Sequence, residues 1–102
     1  MVIPQVKIKI CGMTQFKDAL FAIEQGADAV GFIFYKKSPR STTMKTVRDI
    51  ILKLPPLAGT VGVFVDETVE RVNKVADYCG LDMVQLHGDE SPAFCRKIQR
   101  RV

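Results

Sequence analysis

A chain of 102 residues, 47% hydrophobic and 25% charged, is long enough for one small domain and too apolar to be disordered. Its net charge of +4 is mildly basic and scattered apart from a small cluster at Arg96, Lys97, Arg100 and Arg101; with no tryptophan and two tyrosines there is no interleaving of aromatic and basic residues, so anionic small molecules, not nucleic acid, are the expected partners. No apolar run approaches the ~20 residues that span a bilayer, and Met1–Gln5 lacks the basic and apolar regions of a signal peptide, so no membrane partner and a cytoplasmic location are expected.

Along the chain, Val6 to Ile10 alternates apolar and basic residues, the period-2 pattern of a strand, which puts Lys7, Lys9 and Cys11 on one face. Thr14 is the expected N-cap of a helix whose inner stripe is Phe16, Ala19, Leu20 and Ile23, with Gly26 as its stop. Ala29 to Phe34 is the near-continuous apolar run of a parallel strand covered on both faces. The following loop, Tyr35 to Ser41, is longer and more basic than a plain connector requires. A second helix is predicted from about Thr43 to Leu54, stopped by Pro55-Pro56, and a β-branched strand from Thr60 to Val65. Thr68 caps a third helix that ends at Gly80, Met83 to His87 forms a fourth strand, and Ser91-Pro92 opens a fourth helix.

The chain also repeats itself. Gly26-Ala27-Asp28-Ala29-Val30 matches Gly80-Leu81-Asp82-Met83-Val84, and Val30-Gly31-Phe32 resembles Val61-Gly62-Val63. Four strand–helix units with short links give an α/β fold with an all-parallel sheet and right-handed crossovers. Such a sheet either stays open with both faces covered or forms half of a closed eight-stranded barrel.

In parallel folds of this kind reactive groups collect at the carboxyl ends of strands. Cys11 lies there, before a helix and near Lys9; both neighbours favour a thiolate able to act as base or nucleophile, while the competing reading is a small buried hydrophobe. Arg40, in the basic loop, could hold a carboxylate or phosphate through two parallel hydrogen bonds, or be an ordinary solvated arginine. His87, the single histidine, ends the fourth strand with Gln85 on the same face, and taken alone reads as a hydrogen-bonded structural residue. Asp89 and Glu90 read as charges at the start of the fourth helix. The three cysteines, Cys11, Cys79 and Cys95, fall in no CxxC or zinc spacing, so free thiols and no metal are expected, with Cys79 and Cys95 as packing residues.

Four of these stretches, Lys9-Ile10-Cys11-Gly12-Met13-Thr14, Gly26 to Phe32 leading into Phe34 to Arg40, Val61 to Val65, and Val84-Gln85-Leu86-His87-Gly88-Asp89-Glu90, resemble phosphoribosylanthranilate isomerase in order and spacing. The resemblance runs from Val6 to the end of the chain. It implies that residues 1–102 are a single domain, the parallel (βα)4 half of a TIM (β/α)8 barrel, ending before strand five. It also implies a cofactor-free Amadori rearrangement of tryptophan biosynthesis, with N-(5-phosphoribosyl)anthranilate as the small-molecule substrate. Under it Cys11 matches the family's catalytic base, Arg40 the group that holds the anthranilate carboxylate, and Gln85 and His87 substrate-contacting positions.

The family's general acid is an aspartate at the end of strand five, and its phosphate is held by loops after strands seven and eight. The 102-residue chain alone is therefore expected to have little isomerase activity. An open four-stranded sheet would leave one face, including Ile33 or Phe32 and Phe64 or Val63, and two edges exposed, so self-association into a homo-oligomer is expected. The alternative function is a non-catalytic half-barrel assembly module that pairs with itself or with a complementary half. An independent flavodoxin-like binding domain is weaker, because no glycine-rich phosphate loop follows any strand.

Overall fold

Strand and helix alternate along the chain from Lys9 to Arg96. The structure, a computed structural model, describes residues 6–102. The opening Met1–Gln5, read above as lacking a signal peptide, lies outside the described residues. The elements are β1 (Lys9–Ile10), α1 (Phe16–Glu24), β2 (Ala29–Ile33), α2 (Met44–Lys53), β3 (Gly59–Phe64), α3 (Val69–Cys79), β4 (Met83–Leu86) and α4 (Pro92–Arg96). The four strands pair in the order β1-β2-β3-β4, every pair parallel, as repeated right-handed strand–helix–strand crossovers dictate. Among the described residues no helix is long and apolar enough to cross a membrane.

Three of the four helices start on a hydroxyl. Thr43, Thr68 and Ser91 accept hydrogen bonds from the backbone N–H of Thr46, Arg71 and Phe94, satisfying donors that the first turn leaves free. The first helix departs from expectation: its N-cap is Gln15, without a side-chain bond, and Thr14 lies one residue earlier. The reason is the turn that follows β1. Gly12, at φ +84°, allows both its own N–H and that of Met13 to reach the carbonyl of Gly31 at 3.0 Å, and the chain needs three more residues before it can enter the helix.

The core lies between sheet and helices. Val30, Phe32, Phe64 and Val84 from the strands meet Ala19, Val47, Val72, Val75 and Ala76 from the helices. Phe32 and Phe64 are 0% and 2% exposed, so of the pairs expected on the open face it is Ile33 and Val63, not the two phenylalanines, that alternate onto it. Even Val61 and Val63 are buried there, and Lys9 of β1 donates to Gln85 Oε1 of β4 across the two strands between them. The ladder of β1 is shorter than the alternation from Val6 suggests, with only Lys9 and Ile10 in register against Ala29 and Val30. Of the two open edges expected, β1 has no partner on its outer side among the described residues, whereas the far side of β4 is bridged by Arg101, whose carbonyl accepts from Val84 N–H at 2.7 Å.

The internal repeat has a structural meaning. Asp28 accepts from Ile8 N–H at 2.8 Å, and Asp82 accepts from Thr60 N–H at 3.0 Å, so each aspartate holds the start of the preceding strand from the same place in its unit. The two differ in burial: Asp82 also takes the hydroxyl of Thr60, which is 3% exposed, whereas Ile8 lies at the surface. Asp82→Ala is therefore expected to cost about 1–3 kcal/mol, the penalty for buried donors without partners, and Asp28→Ala clearly less. Thermal unfolding of the two variants checks the order.

Candidate functional site

All four residues singled out for chemistry stand at or near the carboxyl ends of the strands, but by different means. Cys11 follows β1 directly and is half-buried, seated against β2 because residue 31 has no side chain: a Cβ there would lie 3.2 Å from Cys11 Sγ and 3.3 Å from its Cα. Cys11 does not sit at the helix terminus itself, since α1 begins only at Phe16. Lys9, its expected electrostatic neighbour, spends its ammonium on Gln85.

Arg40 reaches the same corner from the loop after β2. Its guanidinium packs on the bare backbone of Gly12, where a Cβ would meet Cζ and Nη1 at 2.8 Å. Two successive turns hold this loop: Ser38 N–H to the Tyr35 carbonyl at 3.0 Å and Ser41 N–H to the Ser38 carbonyl at 3.2 Å, with Arg40 N–H on Ser38 Oγ. A thiol and a guanidinium 29 positions apart in the sequence (40 minus 11) are thus brought to one turn, with a glycine making room on either side of Cys11.

Gln85 belongs to β4 on the concave face and is tied to β1 through Lys9, two residues before Cys11. His87 is exposed just past β4, its N–H donating to the Phe64 carbonyl at 2.9 Å; among the described residues its imidazole has no hydrogen bond to Cys11 or Arg40. The structure therefore places the Arg40 guanidinium on Gly12, the residue after Cys11, ties Gln85 to Lys9 two residues before it, and leaves His87 exposed at the rim.

Asp89 and Glu90 do something other than charge a helix. Glu90 accepts from Asp66 N–H and from Gly88 N–H, both at 2.8 Å, and Asp66 in return accepts from Asp89 N–H at 2.9 Å. Asp66 adopts φ +50°, and a Cβ on residue 88 would collide with its carboxylate, so the tie favours glycine there. These acids lock the loops after β3 and β4 together and so fix the segment that carries His87. Sequence reasoning missed this tie and the Lys9–Gln85 bond because the first joins loops that strand order makes neighbours and the second joins the two outer strands across the face of the sheet.

The remaining thiols are elsewhere. Cys79 is 3% exposed, donates to the Met44 carbonyl at 3.4 Å, and burial pushes its pKa up to about 11 despite the opposing charge of Arg48. Cys95 is half-buried in α4. Among the described residues no group of three or more histidine, cysteine or acidic side chains is placed to hold a metal ion.

Parallel strands in sequential order, wrapped by helices on one face and open on the other, define one half of a (β/α)8 barrel. The family is set by comparison. Residues 8–102 match the model for N-(5'-phosphoribosyl)anthranilate (PRA) isomerase, and the chain belongs to that family. It is 55% identical over 96 residues to the N-(5'-phosphoribosyl)anthranilate isomerase of Geobacter sp. strain M21, covering 94% of this chain and 47% of that protein. The phosphoribosyl anthranilate isomerase of Thermotoga maritima superposes with a TM-score of 0.91 at 52% identity, over 92% of this chain and 46% of that one. A structure of the isomerase in complex with reduced 1-(o-carboxyphenylamino)-1-deoxyribulose 5-phosphate gives the same TM-score and identity over 92% and 48%. The chain spans about half the length of the curated relatives it matches.

Proposed function

We propose that this chain supplies the base and the carboxylate-binding side of an isomerase site that rearranges N-(5-phosphoribosyl)anthranilate. In this reading Cys11 removes the C2′ proton of the ring-opened imine: the S–H bond forms, and the C–H pair becomes the C1′–C2′ double bond as the imine nitrogen takes up its electrons. Arg40 holds the anthranilate carboxylate, and Gln85 and His87 take the substrate-contacting positions after β4. The observation that carries the proposal is the packing of the Arg40 guanidinium on Gly12, beside Cys11. An aryl carboxylate held by Arg40 would sit next to the thiol, which is the proximity that proton abstraction needs. The complexed relative supports the substrate class, because its ligand bears both a carboxyphenylamino group and a 5-phosphate.

The site is incomplete within four strand–helix units. The acid and phosphate-binding loops that the family resemblance calls for belong to strands five, seven and eight, so the chain alone binds the anthranilate end weakly and turns over little. Titration of the chain with anthranilate, followed by amide chemical shifts, is expected to perturb Gly12, Met13 and Arg40. Arg40→Gln should weaken the binding about 10-fold or more, the loss of a charge-assisted pair. Binding unchanged in Arg40→Gln would remove the assignment.

A second reading, self-association, is favoured by one observation. The free edge of β1 is flanked by Ile8, Ile10 and Phe21, 48%, 40% and 65% exposed, and the concave face opens into a depression of about 780 Å3 between Lys7, Gly59, Met83 and Val102. Sedimentation is expected to show a concentration-dependent dimer or larger species. A monomer at all concentrations would contradict it.

A further inference from the structure

We propose that the chain carries a second ligand site, a phosphate-binding cleft between the loop after β2 and the first turn of α3, separate from the Cys11–Arg40 corner. Two adjoining depressions of about 290 and 370 Å3 share Phe34, Lys36 and Arg71. The aromatic wall is the stacked pair of Phe34 and Phe64, whose ring centroids are 5.2 Å apart. Lys37 completes the cationic lining on one side, and Ser41 and Thr42 line the other.

The charge there is unbalanced. Three cations meet one carboxylate, Glu67, which lies 3.5 Å from Arg71 Nε; among the described residues no acid lies within ion-pair distance of Lys36 or Lys37. The backbone of the loop carrying the two exposed lysines is closed by the turns at Ser38 and Ser41 and pinned to β2 by Thr42 N–H on the Ile33 carbonyl at 2.9 Å, which fixes where the two side chains start. Glu67 occupies one edge of the Arg71 guanidinium and leaves the other N–H groups for a ligand. Lysine and arginine facing one cleft repel each other, and a compact dianion with three acceptor oxygens relieves that repulsion while matching both donor types. Nucleic acid would need a continuous basic track, whereas this is a single cleft bounded by an acid. The shared chemistry is a phosphate group, free or on a small ester.

The test is a titration of the purified chain with inorganic phosphate and, separately, with ribose 5-phosphate, at constant pH and chloride-balanced ionic strength, read by amide shifts. Saturable shifts are expected at residues 34–37, 41–44 and 64–71, with a dissociation constant on the order of 1 mM for a few charge-assisted hydrogen bonds. Lys36→Gln, on an exposed loop, and Arg71→Gln should each weaken binding about 10-fold, and Arg40→Gln should leave it unchanged. Equal affinity for the two compounds supports free phosphate as the ligand, and tighter ribose 5-phosphate supports an ester. Shifts that do not saturate, or that are indifferent to both cleft variants, overturn the proposal. So do shifts centred on Gly12, Met13 and Arg40, which would place the anion in the isomerase corner. Because the Arg40 variant separates the two sites, loss of the isomerase reading would not by itself remove this one.

Discussion

Cys11→Ala is expected to lower isomerase turnover by about 10²–10⁴, the contribution of a positioned general base, when the chain is combined with the second four strand–helix units of a family relative. The expectation rests on what surrounds the thiol. Cys11 is seated between two positions without side chains, Gly12 and Gly31, and the sulfur lies over Gly31. Replacing it by alanine removes the sulfur and introduces nothing larger, so the fold and the Arg40–Gly12 contact should survive while the proton acceptor is lost. The discriminating pattern is therefore a fall in kcat with KM nearly unchanged and unfolding temperature within a degree or two of the parent. Cys79→Ala is a useful contrast: that thiol is buried and bonded to the Met44 carbonyl, so its loss should lower stability and leave kcat alone.

Phe32→Ala should produce the largest loss of stability. The ring is 0% exposed at the centre of the sheet, on the side that meets the helices, and truncating a fully buried phenylalanine costs about 3–5 kcal/mol. Domains of this size are stable by about 5–15 kcal/mol, and an open-faced half-barrel belongs at the lower end of that range. The variant is expected to be largely unfolded at 37 °C, or to unfold at well under half the denaturant concentration of the parent. Ile33→Ala, one residue later and facing the concave side, should cost much less. Equal losses for the two would mean that the concave side is covered as well as the helix side.

The contrast between Phe32 and Ile33 also marks where sequence reasoning reached its limit. Periodicity located β2, β3, β4 and the helices, because apolar stripes and the hydroxyl caps at Thr43, Thr68 and Ser91 are local features. It could not say which alternate residues of a continuous apolar run such as Ala29 to Phe34 turn inward, since both parities are apolar. It overextended β1, whose alternation from Val6 is real, because a strand with one neighbour keeps only the residues that neighbour can pair. Thr14 failed as a cap for a similar reason: the Gly12 turn onto Gly31 belongs to tertiary structure.

Much of the candidate site was legible as a set of strand ends, but its wiring was not. Arg40 and Cys11 were separate candidates in the sequence, and only the bare backbone of Gly12 brings them together. Lys9 with Gln85, and Asp66 with Glu90, are pairs separated by 76 and 24 residues. Their partnership depends on which strands are neighbours and how far the sheet curls, and no local pattern encodes either. The repeat at Asp28 and Asp82 is the exception. Its two aspartates hold the starts of β1 and β3 in the same way, so repetition in the sequence did foreshadow a repeated bond.

The most direct test is turnover of N-(5-phosphoribosyl)anthranilate by the chain alone and after addition of a fragment containing strand–helix units five to eight of a family relative. Near-background rate for the chain alone, turnover on mixing, and its loss in Cys11→Ala are the predicted results. Turnover by the chain alone that persists undiminished in Cys11→Ala would contradict both the assigned base and the half-site on which the proposal depends.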